Sequence, residues 1–361
     1  MKRVLMMETG SFKVIGGAAK DTYSLYKRLR ASRGLKIDLF GAFSKIDSKA
    51  AVITYSKVMA TDYDVIWLNS IRDVRVVESY RRSHPSSKAK FIYVDRGNVL
   101  LNFRKAGIKR LLPKMLVRMY LMRRMRGWLD AYIAISAEQE PVARMFFKKS
   151  TRIANITIAP HDEYRPTGKR RTFNGGLSVS RLDERQKKIS LMIRGIAKVK
   201  ASYPELKDAV LLKIVGTGKD EENYKALSKS LGVQRNIAFE GFMTGKGLIA
   251  AYNNAAFFVS TSEWEGLGRS LLEAMACGLP LLINNNINTA IKSNPTTRIV
   301  REGYNGMLYD YGDIDGFAEK FYALYSNRAL QKKLSGNAVR FVSGFSFARV
   351  VESYRKLLLS L

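Results

Sequence analysis

The stretch "AAFFVSTSEWEGLGRSLLEAMACGLPLLINN", Ala255 to Asn285, decides the fold. It opens on an apolar, aromatic run that reads as a strand ending near Ser260. A glycine-flanked loop, "EWEGLG", follows. "RSLLEAMACG" then repeats its apolar positions at helical spacing and stops at Gly278 and Pro280. "LPLLINN" is a second short apolar run. Strand, loop, helix and strand in this order predict parallel strands joined by a covering helix.

The loop therefore sits at the carboxyl edge of a sheet. The first amides of its helix, around Gly268, Arg269 and Ser270, have no intrahelical acceptors and carry the positive end of the helix dipole. Such an end suits a phosphate or diphosphate, and glycine permits close approach. Glu273, on the first turns, is placed to accept from two vicinal hydroxyls, as on a ribose. Glu265, in the loop, would face the next ligand unit. The same two glutamates also fit a blander reading, an exposed loop residue and a helix residue that complements the dipole.

Outward from this unit the alternation continues. Strand candidates are "RVLMME", "KIDLFG", "DVIWLN", "KFIYVD", "AYIAIS" and "RIANITIA" in the first half. In the second they are "GLSVSRL", "AVLLKIVG", "NIAFEGF", "AAFFVSTS" and "LPLLINN", with helical stretches between and a helical C-terminal third. Residues 159–176, "APHDEYRPTGKRRTFNGG", break the rhythm with prolines, glycines and a polar run, and read as a linker. The expected fold class is α/β, with two Rossmann-like domains in series, a ligand lying outside the carboxyl ends of the strands. The expected division is 1–160, 161–345, and a last helix, 346–361, packing back on the first domain.

A length of 361 residues agrees with two domains. Hydrophobic residues at 46% and charged residues at 26%, without low-complexity tracts, predict that both halves fold. One cysteine, Cys277, rules out a disulfide framework and suits a reducing compartment. The start "MKRVLMMETG" is too short an apolar run for a signal peptide, and no segment approaches the roughly eighteen apolar residues of a membrane span. Sixty-two Lys and Arg against thirty-one Asp and Glu give a net charge of +31. Residues 1–160 hold 32 basic and 12 acidic side chains, a net of +20. Such an excess points to anionic partners: lipid, nucleic acid or phosphorylated substrates.

Three further motifs lie in the second half. "SVSRLDERQKK" places Arg181 and Lys187 just after a strand, where they could neutralise a diphosphate or simply form a solvated basic turn. "KIVGTGKDEE" sets Gly216 and Gly218 between a strand and a helix, for ligand approach or for tight-turn geometry. "IAFEGFM" puts Gly241 and Phe242 at another strand end. In the first half, "TDYDVIW" holds a D-x-D, but Asp62 and Asp64 there read as flanking a buried segment. No His/Cys/Asp cluster has metal-ligand spacing, so no metal and no cofactor is expected.

These elements together resemble the GT-B glycosyltransferases of the retaining family 4 type. "EGLGRSLLEAMACGLP" matches the family's E-x7-E motif, and "SRLDERQKK" its R-L-x-x-x-K element, with one residue more before Lys187. "IVGTGKDEE", "IAFEGFM" and "EGYNGMLYDYGD" match its G-x-G turn, F-x-G strand end and N-G-x-L stretch, in family order over Ser178 to Asp313. The resemblance implies two domains facing across a cleft and a nucleotide-diphosphate sugar, UDP foremost, held by the C-terminal domain. Arg181 and Lys187 would contact the diphosphate, Glu273 the ribose, and Glu265 the donor sugar. Gly241 and Phe242 would lie near the base, and the N-terminal domain would take the acceptor. "KVIGGAAKD" fits the family's first glycine loop, with Gly16 and Gly17 near the diphosphate or acceptor. The chain departs from the family in three places. Asp95 and Arg96 stand where a histidine is common, Lys188 stands where glycine is usual, and "NNNINTAIKS" lacks the usual glycine-rich loop. Asp95 could act as a base, or the leaving phosphate could deprotonate the acceptor. Among the histidines, His161 could line the cleft and His84 lies in a polar loop.

"FRKAGIKRLLPKMLVRMYLMRRMRGWL", 103–129, reads as a basic amphipathic helix. Lys109, Arg110, Lys114, Arg118 and Arg124 surround an apolar side, with Arg123 nearer its edge. It fits either a sheet-covering helix or one lying in an anionic membrane interface. The combined expectation is a metal-independent transferase at the inner, cytoplasmic face of a membrane, working on a lipid-linked or glycan acceptor. Nucleic acid is not expected, because aromatics do not alternate with the basic run as base stacking requires. The competing readings are a non-catalytic basic protein on a sugar-nucleotide fold, and a GT-B phosphorylase or epimerase.

Overall fold

The computed structural model describes residues 1–9, 17–95, 117, 119–135, 139–156, 159–265, 268–287 and 298–361. The chain divides into two units, Met1–Ile158 with Ala348–Leu361, and Ala159–Phe347.

In the first unit six parallel strands run in the order β2-β1-β3-β4-β5-β6. They are β1 (Lys2–Glu8), β2 (Leu35–Gly41), β3 (Val65–Leu68), β4 (Lys90–Asp95), β5 (Ala131–Ala134) and β6 (Arg152–Asn155). β3 and β5 are buried at every position, as a sheet covered on both faces requires, whereas the edge strand β2 alternates buried and open positions. The helix Val74–Ser83 turns Val74, Val77 and Tyr80 inward, and a capping box of Ser70 and Asp73 fixes the turn before it. The last helix, Phe347–Ser360, buries Val350, Tyr354, Leu357 and Leu358, and Tyr354 stacks on Trp67 of β3 at 4.7 Å.

The second unit holds β7 (Gly176–Val179), β8 (Leu212–Val215), β9 (Ile237–Gly241), β10 (Phe257–Ser260), β11 (Leu281–Asn284) and β12 (Gly306–Tyr309). Their order is β9-β8-β7-β10-β11-β12, all parallel. This is the doubly wound Rossmann order, and it reverses direction between β7 and β10. Helices Ile189–Ser202 and Arg269–Ala276 follow those two strands. The loops at their carboxyl ends therefore flank the switch point.

The segment 159–176 belongs to the second unit and is tied to it. Phe173 N donates to Asn254 O at 3.0 Å. The Arg171 guanidinium donates to the carbonyls of Cys277 and Gly278, at 3.2 and 2.8 Å. A cation on these last carbonyls complements the negative end of the helix Arg269–Ala276.

Candidate active site

The loop after β7 carries the first part of the site. Asp183 caps the one-turn helix Glu184–Lys187 by accepting from Arg185 N at 3.1 Å. Glu184 braces the turn, accepting from Ser190 Oγ at 2.6 Å and Tyr224 Oη at 3.1 Å. These bonds aim Lys187 toward the loop after β10, where its Nζ pairs with Glu265 Oε1. Both side chains are 13% exposed, so screening by water is weak.

Gln186 joins the two loops. Its backbone oxygen accepts from Glu263 N at 2.8 Å, and its Nε2 donates to Trp264 O at 3.2 Å. Its Oε1 accepts from Arg181 Nη2 at 3.0 Å, while the rest of the Arg181 side chain is exposed. Thr261 Oγ1 donates toward the carbonyls of Lys187 and Lys188, at 3.0 and 2.9 Å. Ser180 Oγ, buried beyond the end of β7, has no hydrogen-bond partner among the described residues. A polar ligand group is its natural complement. Arg181, Lys187 and Glu265 are thus gathered at the switch point, with further polar capacity beside them.

Glu273 lies on the helix that follows this loop. Its carboxylate is 7% exposed, accepts from Tyr252 Oη at 3.0 Å and faces Arg269 Nη1 at 3.8 Å. The sequence suggests an open acceptor for ribose hydroxyls; as it stands, this carboxylate is engaged within the unit. Burial pulls the Arg269 pKa down to about 10, and the charge of Glu273 opposes that shift. Burial, then Glu273, raise Tyr252 well above its usual range and push the thiol of Cys277 up to about 12. Arg269, expected to bind donor, turns along its helix toward Glu273. Gly268 is the N-cap of the helix and Ser270 its second residue; both are partly or fully buried.

Gly216 and Gly218 have a steric function. Gly216 adopts φ 136°, and a Cβ there would meet Ser180 O at 1.8 Å. A Cβ on Gly218 would meet Leu182 O at 2.2 Å. The turn after β8 therefore lies directly against the backbone that carries Arg181. Gly241, at φ 67°, has open space around it, and its oxygen accepts from Gly216 N at 2.7 Å. Phe242 is exposed beside it.

In the first unit, Asp95 is 1% exposed at the end of β4 and accepts from Tyr132 Oη at 2.7 Å. Its position matches a base at a strand end, but its carboxylate is packed inside. Asp64 Oδ2 accepts from Arg3 N at 2.7 Å and fastens β1 to the start of β3. Among the described residues no group of three His, Cys, Asp or Glu side chains is arranged to hold a metal ion. His161 packs against Phe347 at 4.7 Å. Gly17 opens the helix Gly17–Arg30. Arg123 and Arg124 are exposed, Arg124 bridging to Glu78 at 2.8 Å. Gly16, Arg96, Lys109, Arg110, Lys114, Arg118 and most of 103–118 lie outside the described residues, as does the loop after Ile287 up to Arg298.

Sequence reading missed Gln186 and left Glu263 without a role. Gln186 carries no charge, so only the fold reveals that it joins the two loops.

The sequence pattern of the family described as glycosyl transferases group 1 matches residues 162–341, nearly the whole second unit and the loops just described. The chain belongs to that family. As a group 1 member it is similar to the lipopolysaccharide core biosynthesis glycosyltransferase LpsE of Rhizobium meliloti, 27% identical over 51% of this chain and 49% of that protein. It is also 31% identical to the lipopolysaccharide 1,6-galactosyltransferase of Salmonella typhimurium, over 39% of this chain and 36% of that one. The alignments thus span less than half the length of these curated relatives. The crystal structure of Anabaena HepE in complex with UDP and glucose superposes over 100% of both chains, with a TM-score of 0.76 and 17% identity. At that identity the likeness shows the fold, which is GT-B with two Rossmann-like α/β domains.

Proposed function

We propose that this chain is a glycosyltransferase that moves a sugar from a nucleoside diphosphate, UDP foremost, to an acceptor hydroxyl of a growing glycan. The observation that carries this reading is the meeting of Arg181, Lys187 and Glu265 at the switch point of the second sheet. A nucleotide belongs at that point in such a fold. Arg181 presents an exposed guanidinium fork, and Lys187 an ammonium already desolvated, toward the place a diphosphate would fill. The relatives named above, with HepE in complex with UDP and glucose, support the same substrate class.

The bond from the anomeric carbon to the β-phosphate oxygen breaks, and a bond to the acceptor oxygen forms. Negative charge grows on the departing phosphate, where Arg181 and Lys187 stabilise it more than in the ground state. The acceptor proton passes to that phosphate. With Asp95 buried against Tyr132, this route needs no protein base and favours retention. Glu265 serves twice, orienting Lys187 and accepting from a donor-sugar hydroxyl. Glu273, with Arg269, holds the helix whose first amides face the donor.

Incubation with a panel of nucleotide sugars, followed by detection of released nucleotide, tests this reading. One or two donors, UDP sugars among them, should be turned over, and excess chelator should leave the rate unchanged. Release from none of them would overturn the function. Loss in chelator, restored by a divalent ion, would overturn the metal-independent mechanism.

The first unit is the part to which we assign the acceptor, and we place it on an anionic membrane surface at the cytoplasmic side. Exposed Val117 and Tyr120 lie beside the exposed Arg123 and Arg124, an apolar and cationic combination that suits an interface. Among the described residues no helix is long and apolar enough to cross a membrane. Sedimentation with phosphatidylglycerol vesicles should fall steeply with salt. Arg123→Gln with Arg126→Gln, the latter also exposed, in the turn that follows, should weaken it ~30-fold, from ~1 kcal/mol per cation. Equal binding to neutral vesicles would contradict the assignment.

A further inference from the structure

Lys188 is the single non-glycine residue with positive φ among the described residues, at φ 48° and ψ 44°. This left-handed conformation costs an ordinary L residue about 1–2 kcal/mol, and glycine adopts it freely. Lys188 also stands where the resemblance leads one to expect glycine. A strained residue kept at a site needs a compensating contact, and the strain is a pointer to function when that contact reaches the reacting groups.

The contact is present. Lys188 Nζ lies 3.4 Å from Glu263 Oε2, with both side chains about one-third exposed or less. Glu263 stands two residues before Glu265 in the loop after β10. Two ion pairs therefore cross the switch point side by side, Lys187 to Glu265 and Lys188 to Glu263. The backbone between them is fastened as well, because Thr261 Oγ1 faces the carbonyls of both lysines and Glu263 N donates to Gln186 O. Tyr311 is raised by burial first and then by the charges of Glu263 and Glu184, so its phenol stands near both carboxylates.

We infer that Lys188 is a positioning residue: its pair with Glu263 sets the 261–265 loop so that Glu265 meets Lys187 and the donor sugar. The inference rests on the donor-site reading above. The left-handed turn is what points two consecutive lysines at the same loop. In a continuous helix, neighbours diverge by about 100° and cannot do this.

The test uses Lys188→Gly, in which backbone ease and ion pair pull in opposite directions. Glycine relieves the strained turn and removes the pair. If Lys188 matters only to the backbone, thermal stability holds or rises and activity stays. If it positions the loop, stability holds while kcat for nucleotide release falls ~10–100-fold, the penalty for a small misplacement of a reacting group. UDP affinity by calorimetry should change less than kcat, since Arg181 and Lys187 remain. Glu263→Gln should lose a similar factor, the double variant should lose no more than either single one, and Lys188→Arg should restore most of the rate. A glycine variant with kcat within twofold of the native enzyme, or additive losses in the double variant, would overturn the inference while the donor site stands. An unsubstituted protein that releases no nucleotide from any donor would instead overturn the functional reading beneath it.

Discussion

Lys187→Ala should lower turnover by ~10²–10³ while changing the donor KM far less, the usual consequence of removing a cation from a developing charge. The effect is large for two reasons. The Lys187 side chain is 13% exposed, so water does not replace its ammonium well. Its loss also leaves the Glu265 carboxylate without its cation next to the donor phosphates, adding repulsion where attraction stood. Steady-state rates of nucleotide release on the best donor measure this. Turnover within a few-fold of the native value would remove Lys187 from the phosphate role.

The second large effect is structural. Gly216→Ala should destabilise the protein by about 3 kcal/mol or more, because backbone strain of ~1–3 kcal/mol is joined by a backbone collision. The new Cβ would stand 1.8 Å from Ser180 O at φ 136°, and neither backbone has a flexible tip that can move aside. Gly232→Ala and Gly303→Ala are the controls. Both residues have φ 67° and nothing within 4 Å of a Cβ, so each should cost only the ~1–2 kcal/mol of the left-handed conformation. Urea unfolding separates the cases. Equal losses at 216 and 232 would mean that the turn after β8 does not press on the strand end carrying Arg181.

That contrast also shows how much of the molecule could be read from its sequence. The parallel sheets were legible because short apolar runs such as "AFFVS" and "PLLIN" alternate with amphipathic helices, and this is local information. That the segments carrying Arg181, Lys187 and Glu265 come together was legible for the same reason, since each follows a strand that the alternation itself locates. Long-range packing was not legible. The partner of Glu273 is Tyr252, from the preceding helix, and the partner of Asp95 is Tyr132, one strand over. Neither spacing follows any periodicity, so a buried carboxylate and an open one look alike in the sequence. The glycines of "GTG" fitted ligand approach and tight-turn geometry equally well in the sequence; in the structure their close neighbour is the adjacent loop. Lys188 could be noticed as a departure, but only its φ and the position of Glu263 give it a role.

The central claim is that the switch point of the second unit binds a nucleotide through its diphosphate. Titration calorimetry of the full chain with UDP and with uridine tests it most directly. Charge-assisted bonds of about 1.5–3 kcal/mol each should make UDP bind at least ~10-fold more tightly than uridine. Arg181→Ala combined with Lys187→Ala should erase that difference. Uridine binding as tightly as UDP, or a double variant that keeps its full preference for UDP, would contradict the account.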